Sequence, residues 1–285
     1  MTCYNRKEST LACLSKIKAQ ENIGDINLKI HLVDDGCTDG TGEAVRTLFP
    51  DIKLLKGNGE LYWGGGMRLA FREALKENYD YYLWLNDDTM LYPHAVRTIY
   101  DTSRHLKKEI GQDTILTGAL RDSTTGVLTY GGSIRRRFWS PRSYILVPPS
   151  NKPEPCDVIN GNCVLIPQKI TKSVGNICKE FTHRGGDFDY SLRAKSKGFS
   201  SWVAPGYLGT CPRNSLVGTY RDDKLPFKTR IALLSKPTGA GAIPAKEWML
   251  FIRRHGGFLW PIYWFRAFLR MKFPWIWVWL RSKKT

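Results

Sequence analysis

The stretch Tyr79-Asp80-Tyr81-Tyr82-Leu83-Trp84-Leu85-Asn86-Asp87-Asp88-Thr89-Met90 constrains this chain more than any other. Its first half is an apolar, aromatic run of strand length, suited to burial on both faces of a sheet. Its second half places two adjacent carboxylates where that strand would end. In open α/β sheets the carboxyl ends of the strands are where ligands bind. Buried carboxylates need a cation, a basic group or water to meet them, and a hard divalent ion shared with a substrate phosphate would satisfy the pair. The competing reading is that Asp87 caps a helix begun near Pro93, or that both acids sit solvated in a turn.

The segments on either side tell the two readings apart by their order. Leu11, Leu14 and Ile17 mark a helix that starts near Ser9 or Thr10. Leu28, Ile30 and Leu32 alternate into Val33-Asp34-Asp35-Gly36-Cys37-Thr38-Asp39-Gly40, a strand running into a turn, followed by a short helix over Ala44, Val45 and Leu48. Ile52 to Leu55 reads as another strand. Gly57 to Gly66 then forms a glycine-rich loop opening onto a helix with Met67, Ala70, Phe71, Ala74 and Leu75 inward. Backbone amides of such a loop, Gly65 among them, can approach a phosphate closely. The loop matches neither the Walker A nor the dinucleotide spacing, and a plain tight turn is the alternative. A helix from about Pro93 to Lys108 and a strand from Thr114 to Ala119 complete a pattern expected to give a largely parallel, doubly wound sheet.

Thr124 to Val147 reads as hairpin material with Arg135-Arg136-Arg137 exposed, Pro148 to Pro155 as a connector, and Val158 to Pro167 as a resumed buried strand. In Phe181-Thr182-His183-Arg184-Gly185-Gly186-Asp187-Phe188-Asp189-Tyr190, Asp187 sits at a helix start and Asp189 lies four residues before Arg193, the spacing of a helical ion pair. Asp187 is thus either a helix cap or a functional carboxylate.

Composition narrows the partners. The 285 residues carry a formal net charge of +17, which favours anionic ligands. Seven cysteines at irregular spacing suggest neither a disulfide framework nor a zinc site, and fit a reducing compartment. From Lys246 onward tryptophans and phenylalanines alternate with Arg and Lys, interrupted by Pro261 and Pro274. A spanning helix needs about 20 uninterrupted apolar residues, so this segment is expected to lie on an anionic membrane surface, or else to pack on the core.

Taken in order, the Asp-Asp-Gly turn, the glycine-rich segment, the Asn-Asp-Asp turn and the Gly-Asp-Phe-Asp helix start resemble family 2 glycosyltransferases of the GT-A fold, close to the bacterial rhamnosyltransferase-like branch. The resemblance covers about Met1 to Asn214. It implies an α/β, Rossmann-like fold with a mostly parallel central sheet over residues 1–235, followed by a basic, aromatic C-terminal extension over 236–285. It also implies residue roles. Thr2, Asn5 and Arg6 match the end of the first strand, which lines the nucleotide pocket. Asp34 and Asp35 match the turn whose carboxylates bind base and ribose, with Cys37 in place of serine. Gly65 and Arg68 fall on the glycine-rich donor segment, where Arg68 and Ala70 replace the frequent Asn and Gly. Asn86-Asp87-Asp88 matches the Asp-x-Asp motif, with Asp87 toward the nucleotide sugar and Asp88 in the metal place. Asp187 matches the general base of the Glu-Asp motif, and Gly186 replaces the glutamate.

The activity so implied is inverting, metal-dependent hexosyl transfer, with Mg²⁺ or Mn²⁺, from dTDP-rhamnose or a UDP-sugar. The acceptor would be polyprenyl-diphosphate-linked or a glycan, in cell-surface glycan synthesis at the cytoplasmic face of the plasma membrane. The apolar residues that should precede Thr2 in this fold are missing, so the functional protein is expected to begin upstream of Met1. Three rival functions follow from the same sequence. Asn86 and Gly186 suit a non-catalytic relative that binds nucleotide sugar or lipid only. The charge suits a nucleic-acid-binding protein, but no module for that appears, and no nucleic-acid partner is expected. A dinucleotide-dependent dehydrogenase lacks its glycine fingerprint.

Overall fold

The computed structural model describes residues 1–137, 143–234 and 244–282. Strands and helices alternate through the first half: β1 (Thr2–Cys3), α1 (Lys7–Lys18), β2 (His31–Asp34), α2 (Thr41–Leu48), β3 (Lys53–Lys56), α3 (Tyr62–Leu75), β4 (Tyr81–Leu85), β5 (Met90–Leu91), α4 (Ala95–Ile110) and β6 (Ile115–Arg121). Short strands follow: β7 (Leu128–Tyr130), β8 (Gly132–Arg135), β9 (Tyr144–Leu146), β10 (Glu154–Cys156), β11 (Val158–Ile159) and β12 (Cys163–Pro167). Then come α5 (Gln168–Val174), α6 (Gly186–Ser196), β13 (Ser201–Thr210), α7 (Phe227–Leu234), α8 (Ala245–His255), α9 (Trp260–Lys272) and α10 (Pro274–Ser282). This is an α/β fold with a mostly parallel central sheet.

The sheet lies in two hydrogen-bonded pieces. β1, β2 and β3 are parallel, with Thr2 opposite Val33 and Leu32 opposite Leu54. In the larger piece the order is β10-β13-β6-β12-β4, where β13 and β6 are parallel and β12 runs antiparallel to both of its neighbours. The two-residue alternation of a strand decides which core each side chain enters. On β4, Tyr82 and Trp84 pack with Met67 and Phe71 of α3 and Tyr190 of α6. Tyr81, Leu83 and Leu85 face the opposite way, toward Val96, Ile99 and Leu106 of α4. On β12, Val164 and Ile166 join the first group, and Cys163 and Leu165 the second. Helices therefore cover both faces, which is why β4 reads as a continuous apolar run. A cavity of about 1010 Å³ separates the two pieces, lined by Met1, Met67, Phe71, Tyr82, Trp84 and Ile99. At its edge the Met1 ammonium donates to the His31 carbonyl at 2.9 Å, and burial lowers its pKa to about 6.

Three sequence expectations are corrected in detail. The glycines 64–66 are not loop residues: α3 already begins at Tyr62, so they occupy its first turns. The run from Val158 to Pro167 is two strands, because Asn160 to Asn162 turn between β11 and β12. The Asp189–Arg193 pair forms as the spacing predicted, but Asp189 is fully buried and not on a surface helix. The hairpin expected over 124–147 appears as β7, β8 and β9, with Ile134 opposite Ile145. Its residues 138–142, the division at 235/236 and the basic end Lys283-Lys284-Thr285 lie outside the described residues.

The C-terminal helix α8 is fastened to α6 by charge. Asp189 receives Arg193 Nε at 2.7 Å from its own helix, and Arg254 Nη1 at 2.8 Å and His255 Nε2 at 2.9 Å from α8. Burial would raise this carboxyl, but His255, Arg254 and Arg193 outweigh it and hold it down to about 2. Phe251 of α8 also meets Phe181 edge to face, and the Thr182 hydroxyl donates to Glu247 at 2.6 Å. Removing one partner of a buried ion pair costs about 3–5 kcal/mol, so Asp189→Asn is expected to lower unfolding stability by roughly that amount in urea titrations and to expose α8 to protease. Because the folded carboxyl is depressed, its contribution is complete above the unfolded value of about 4 and is lost as pH falls through about 2.

Candidate active site

A cavity of about 1160 Å³ opens where β1, β2 and β4 end, and its wall includes Thr2, Arg6, Asp35, Asp87, Asp88 and Asp187. Asn160, Gly161 and Asn162, from the turn before β12, and Trp248 and Phe251 of α8 complete it. The placement follows the rule that ligands in open α/β sheets sit beyond the strand carboxyl ends.

Asp35, 2% exposed, builds one wall. Its Oδ1 accepts from Gly59 N–H at 2.9 Å, and its Oδ2 from Leu61 and Tyr62 N–H at 3.0 and 3.1 Å. It thus satisfies the free amides at the start of α3, the work of an N-cap done from another strand. Close packing of α3 requires its glycines. A Cβ on Gly66 would fall 2.1 Å from Thr2 Oγ1, and one on Gly64 2.4 Å from the Phe181 carbonyl. Asn5 and Asp34 brace the neighbouring loop: Asn5 Oδ1 accepts from Thr38 N–H at 2.7 Å, and Asp34 Oδ1 from Cys37 N–H at 2.8 Å.

The acidic turn after β4 is clamped by α1. The Ser9 hydroxyl donates to the Asp87 carbonyl at 3.1 Å, and the Thr10 hydroxyl to Asp87 Oδ2 at 3.4 Å. The Cys13 thiol donates to the Thr89 carbonyl at 3.1 Å. Trp63 Nε1 donates to Asn86 Oδ1 at 2.7 Å, which commits Asn86 to positioning the indole. Arg6 Nη1 lies 2.7 Å from Asp88 Oδ2 and 3.5 Å from Asp87 Oδ1. Burial pushes Asp87 up to about 6, with Arg6 opposing the rise. Asp88 is the more open of the two, its side chain 17% exposed against 9% for Asp87.

Asp187 is the second residue of α6, after Gly185 turns the chain at φ 88°. Phe188 N–H donates to its Oδ1 at 2.8 Å and Gly161 N–H to its Oδ2 at 3.1 Å. Burial raises its pKa above the ordinary carboxylate range in spite of these amides, as suits a group that must take up a proton. His183, beside it, is lowered to about 4 by burial and by the charges of Arg184 and Arg6, so it is neutral near pH 7. Its Nδ1 is buried without a hydrogen-bond partner among the described residues.

Of the sequence-derived candidates, Thr2, Arg6, Asp35, Asp87, Asp88 and Asp187 share the cavity, and Asn5, Asp34, Gly65 and Arg68 are not on its wall. Arg68 points away, its Nη1 3.4 Å from the Cys178 carbonyl and 3.5 Å from that of Phe181. Both Gly65 and Arg68 are displaced because α3 starts before them. Cys3, Asp34 and Cys37 bring their ligand atoms within 4.8 Å of one another. Burial raises both thiols, Cys37 to about 11, so they stay protonated. Sequence reasoning did not identify Trp63, Gly161, Trp248 or Phe251 as site residues. The nearest signal was Trp63 beside three glycines: the indole lies where a Cβ on Gly161 would be, 2.3 Å away.

Comparison with known proteins accords with this geometry. The family profile "Glycosyl transferase family 2" matches residues 1–144. No curated protein sequence matches the chain. Among solved structures, TarS of S. aureus superposes with a TM-score of 0.52 at 13% identity, over 90% of this chain and 43% of TarS. This chain thus spans less than half of that protein. The mannosyltransferase PcManGT from Pyrobaculum calidifontis, in complex with GDP-Man and Mn²⁺, superposes with a TM-score of 0.52 at 14% identity, over 99% of this chain and 71% of that one. At such identities these likenesses speak for the fold. The family match covers half of the sequence and the same strand ends that build the cavity, and on it the chain belongs to glycosyl transferase family 2.

Proposed function

We propose that this glycosyltransferase moves a sugar from a nucleoside-diphosphate donor to an acceptor hydroxyl with inversion at the anomeric carbon. The observation that carries the reading is Asp187, a carboxylate with a raised pKa facing the same cavity as the Asp87–Asp88 pair. The acceptor oxygen would bond to the anomeric carbon as the nucleoside diphosphate leaves. Asp187 would take the acceptor's proton, its Oδ atoms fixed by Gly161 and Phe188. Thr2 and Asp35 would line the nucleoside end. The oxygen donors of Asp88 suit a hard ion such as Mg²⁺ or Mn²⁺ that keeps phosphate and water ligands, and PcManGT was solved with Mn²⁺ and GDP-Man. Such an ion, when bound, supplies charge to the leaving diphosphate. Donors to test first are dTDP-rhamnose and UDP-sugars.

The acceptor would enter past Trp248 and Phe251, which stack at an interplanar angle of 10°. The same extension suggests a membrane-borne acceptor, polyprenyl-diphosphate-linked or a growing glycan. Trp260, Ile262, Phe265, Phe273, Trp275 and Trp279 are exposed along α9 and α10, beside Lys272 and Arg270. No helix among the described residues is long and apolar enough to cross a membrane. Aromatics flanked by basic residues suit a helix lying in the interface of an anionic leaflet, consistent with peripheral attachment at the cytoplasmic face.

Donor turnover by detergent-solubilised protein, measured across a panel of nucleotide sugars, tests the chemistry. Asp187→Asn is expected to lower kcat by about 10²-fold or more, the usual share of a general base, with donor affinity retained. Because Asp187 must be ionised to act and its pKa is raised, kcat should climb with pH through a limb above the ordinary Asp value of about 4. An Asp187→Asn enzyme with full turnover would overturn the assignment. Co-sedimentation with vesicles tests the membrane: binding should require anionic lipid, fall with salt, and weaken when Trp275 and Trp279 are both changed to Ala.

A further inference from the structure

The acidic pair at the end of β4 is closed by a side chain. Arg6 reaches it from the loop between β1 and α1, 81 and 82 residues away in sequence, and places Nη1 2.7 Å from Asp88 Oδ2 and 3.5 Å from Asp87 Oδ1. Its side chain is 47% exposed, so water already reaches it on one side. The acidic turn is held from α1 and β13: Ser9 donates to the Asp87 carbonyl, Thr10 to Asp87 Oδ2, and the Cys211 thiol after β13 lies 3.4 Å from Asp88 Oδ1. We propose that Arg6 is a displaceable counter-ion, closing Asp87 and Asp88 in the empty enzyme and moving to the donor diphosphate when a divalent cation takes Asp88.

The inference rests on the donor and cation reading above. Two positive groups cannot share one carboxylate oxygen at little cost. Like charges about 4 Å apart repel by several kcal/mol at protein-like dielectric. Arg6 must therefore leave Asp88 before a cation can settle there. A guanidinium that leaves a carboxylate needs another anion with paired oxygens, and a diphosphate offers them for two parallel N–H bonds. Asp87, 6% exposed, would be left with a like-charged neighbour and little water if Arg6 left and no cation came. The exchange is thus favourable only when cation and diphosphate arrive together. Arg6 then makes the two ligands bind cooperatively: each alone must break the Arg6 bridge or forgo its charge. By linkage, nucleotide must strengthen cation binding by the same factor as cation strengthens nucleotide binding.

The test is Mn²⁺ titration of the full chain in detergent, followed by the electron paramagnetic resonance of free Mn²⁺, without nucleotide and with GDP, UDP or dTDP. Wild type should bind Mn²⁺ weakly alone and more tightly with one of the three. Arg6→Ala should bind Mn²⁺ alone on the order of tenfold more tightly than wild type, within the range of coupled sites, and should gain less from nucleotide. Arg6→Lys keeps a charge without the fork and should fall between; it carries the comparison if Arg6→Ala does not fold. Asp88→Asn should abolish binding in every background. Arg6→Ala and Arg6→Lys with wild-type or weaker affinity for Mn²⁺ alone would overturn the counter-ion role and leave the cation site standing. If wild type and both variants bind no Mn²⁺ with any nucleotide, the cation reading itself falls, and Arg6 with it.

Discussion

A carboxylate without access to water must be met by hydrogen-bond donors or positive charge, and Asp189 meets that demand with groups from two distant parts of the chain. Arg193 comes from the same helix, while Arg254 and His255 come from α8, some 65 residues on. The cost of burying this acid is offset only while α8 is docked. Docking in turn sets Phe251 against Phe181 and brings Glu247 to the Thr182 hydroxyl. The segment so held, from Phe181 to Asp187, carries His183 and the candidate base. The C-terminal extension is therefore bound to the geometry of the cavity as well as exposing aromatic residues on α9 and α10.

A second constraint is steric. The start of α3 touches Thr2 on one side and the carbonyls of Phe181 and Thr182 on the other, and no side chain fits at Gly64 or Gly66. Helical glycine is unfavourable by about 1 kcal/mol relative to alanine, yet here it lets three segments of the site meet. A reading by local propensity sees three glycines and expects a turn. It has no access to what lies across the gap, and so it does not see that Gly64 and Gly66 are required by helix packing.

Sequence periodicity located what periodicity controls. The apolar run of β4 betrays a strand covered on both faces, and the alternation of strands with helices gives the α/β fold. The acids after β4 and at the start of α6 were legible because an abrupt carboxylate after an apolar run, or at a helix start, is a local event. What was not legible is pairing at long range. Asn86 looks like a substitute for a metal-binding acid, but its oxygen is taken by Trp63. Asp35 looks like a ligand-binding acid, but both of its oxygens hold backbone amides of another loop. Only the three-dimensional partner distinguishes an acid that builds the wall from one that faces the substrate.

That distinction orders the carboxylates around the cavity. Asp35 is taken up by three backbone amides at and just before a helix start. Asp87 and Asp88 face a guanidinium, and a site that holds one cation-like group there is shaped for charge of that sign. Asp187 receives one N–H on each oxygen, and burial still lifts its affinity for a proton. Burial raises both Asp87 and Asp187, so what tells them apart is the group each one faces. One kind of carboxylate is met by a guanidinium, which opposes the rise that burial gives Asp87, and the other by backbone amides. The chain puts the first kind at the end of β4 and the second at the start of α6, on the wall of one cavity. The proposed sugar transfer would use this arrangement, with fixed charge beside the leaving diphosphate and a proton acceptor beside the attacking hydroxyl.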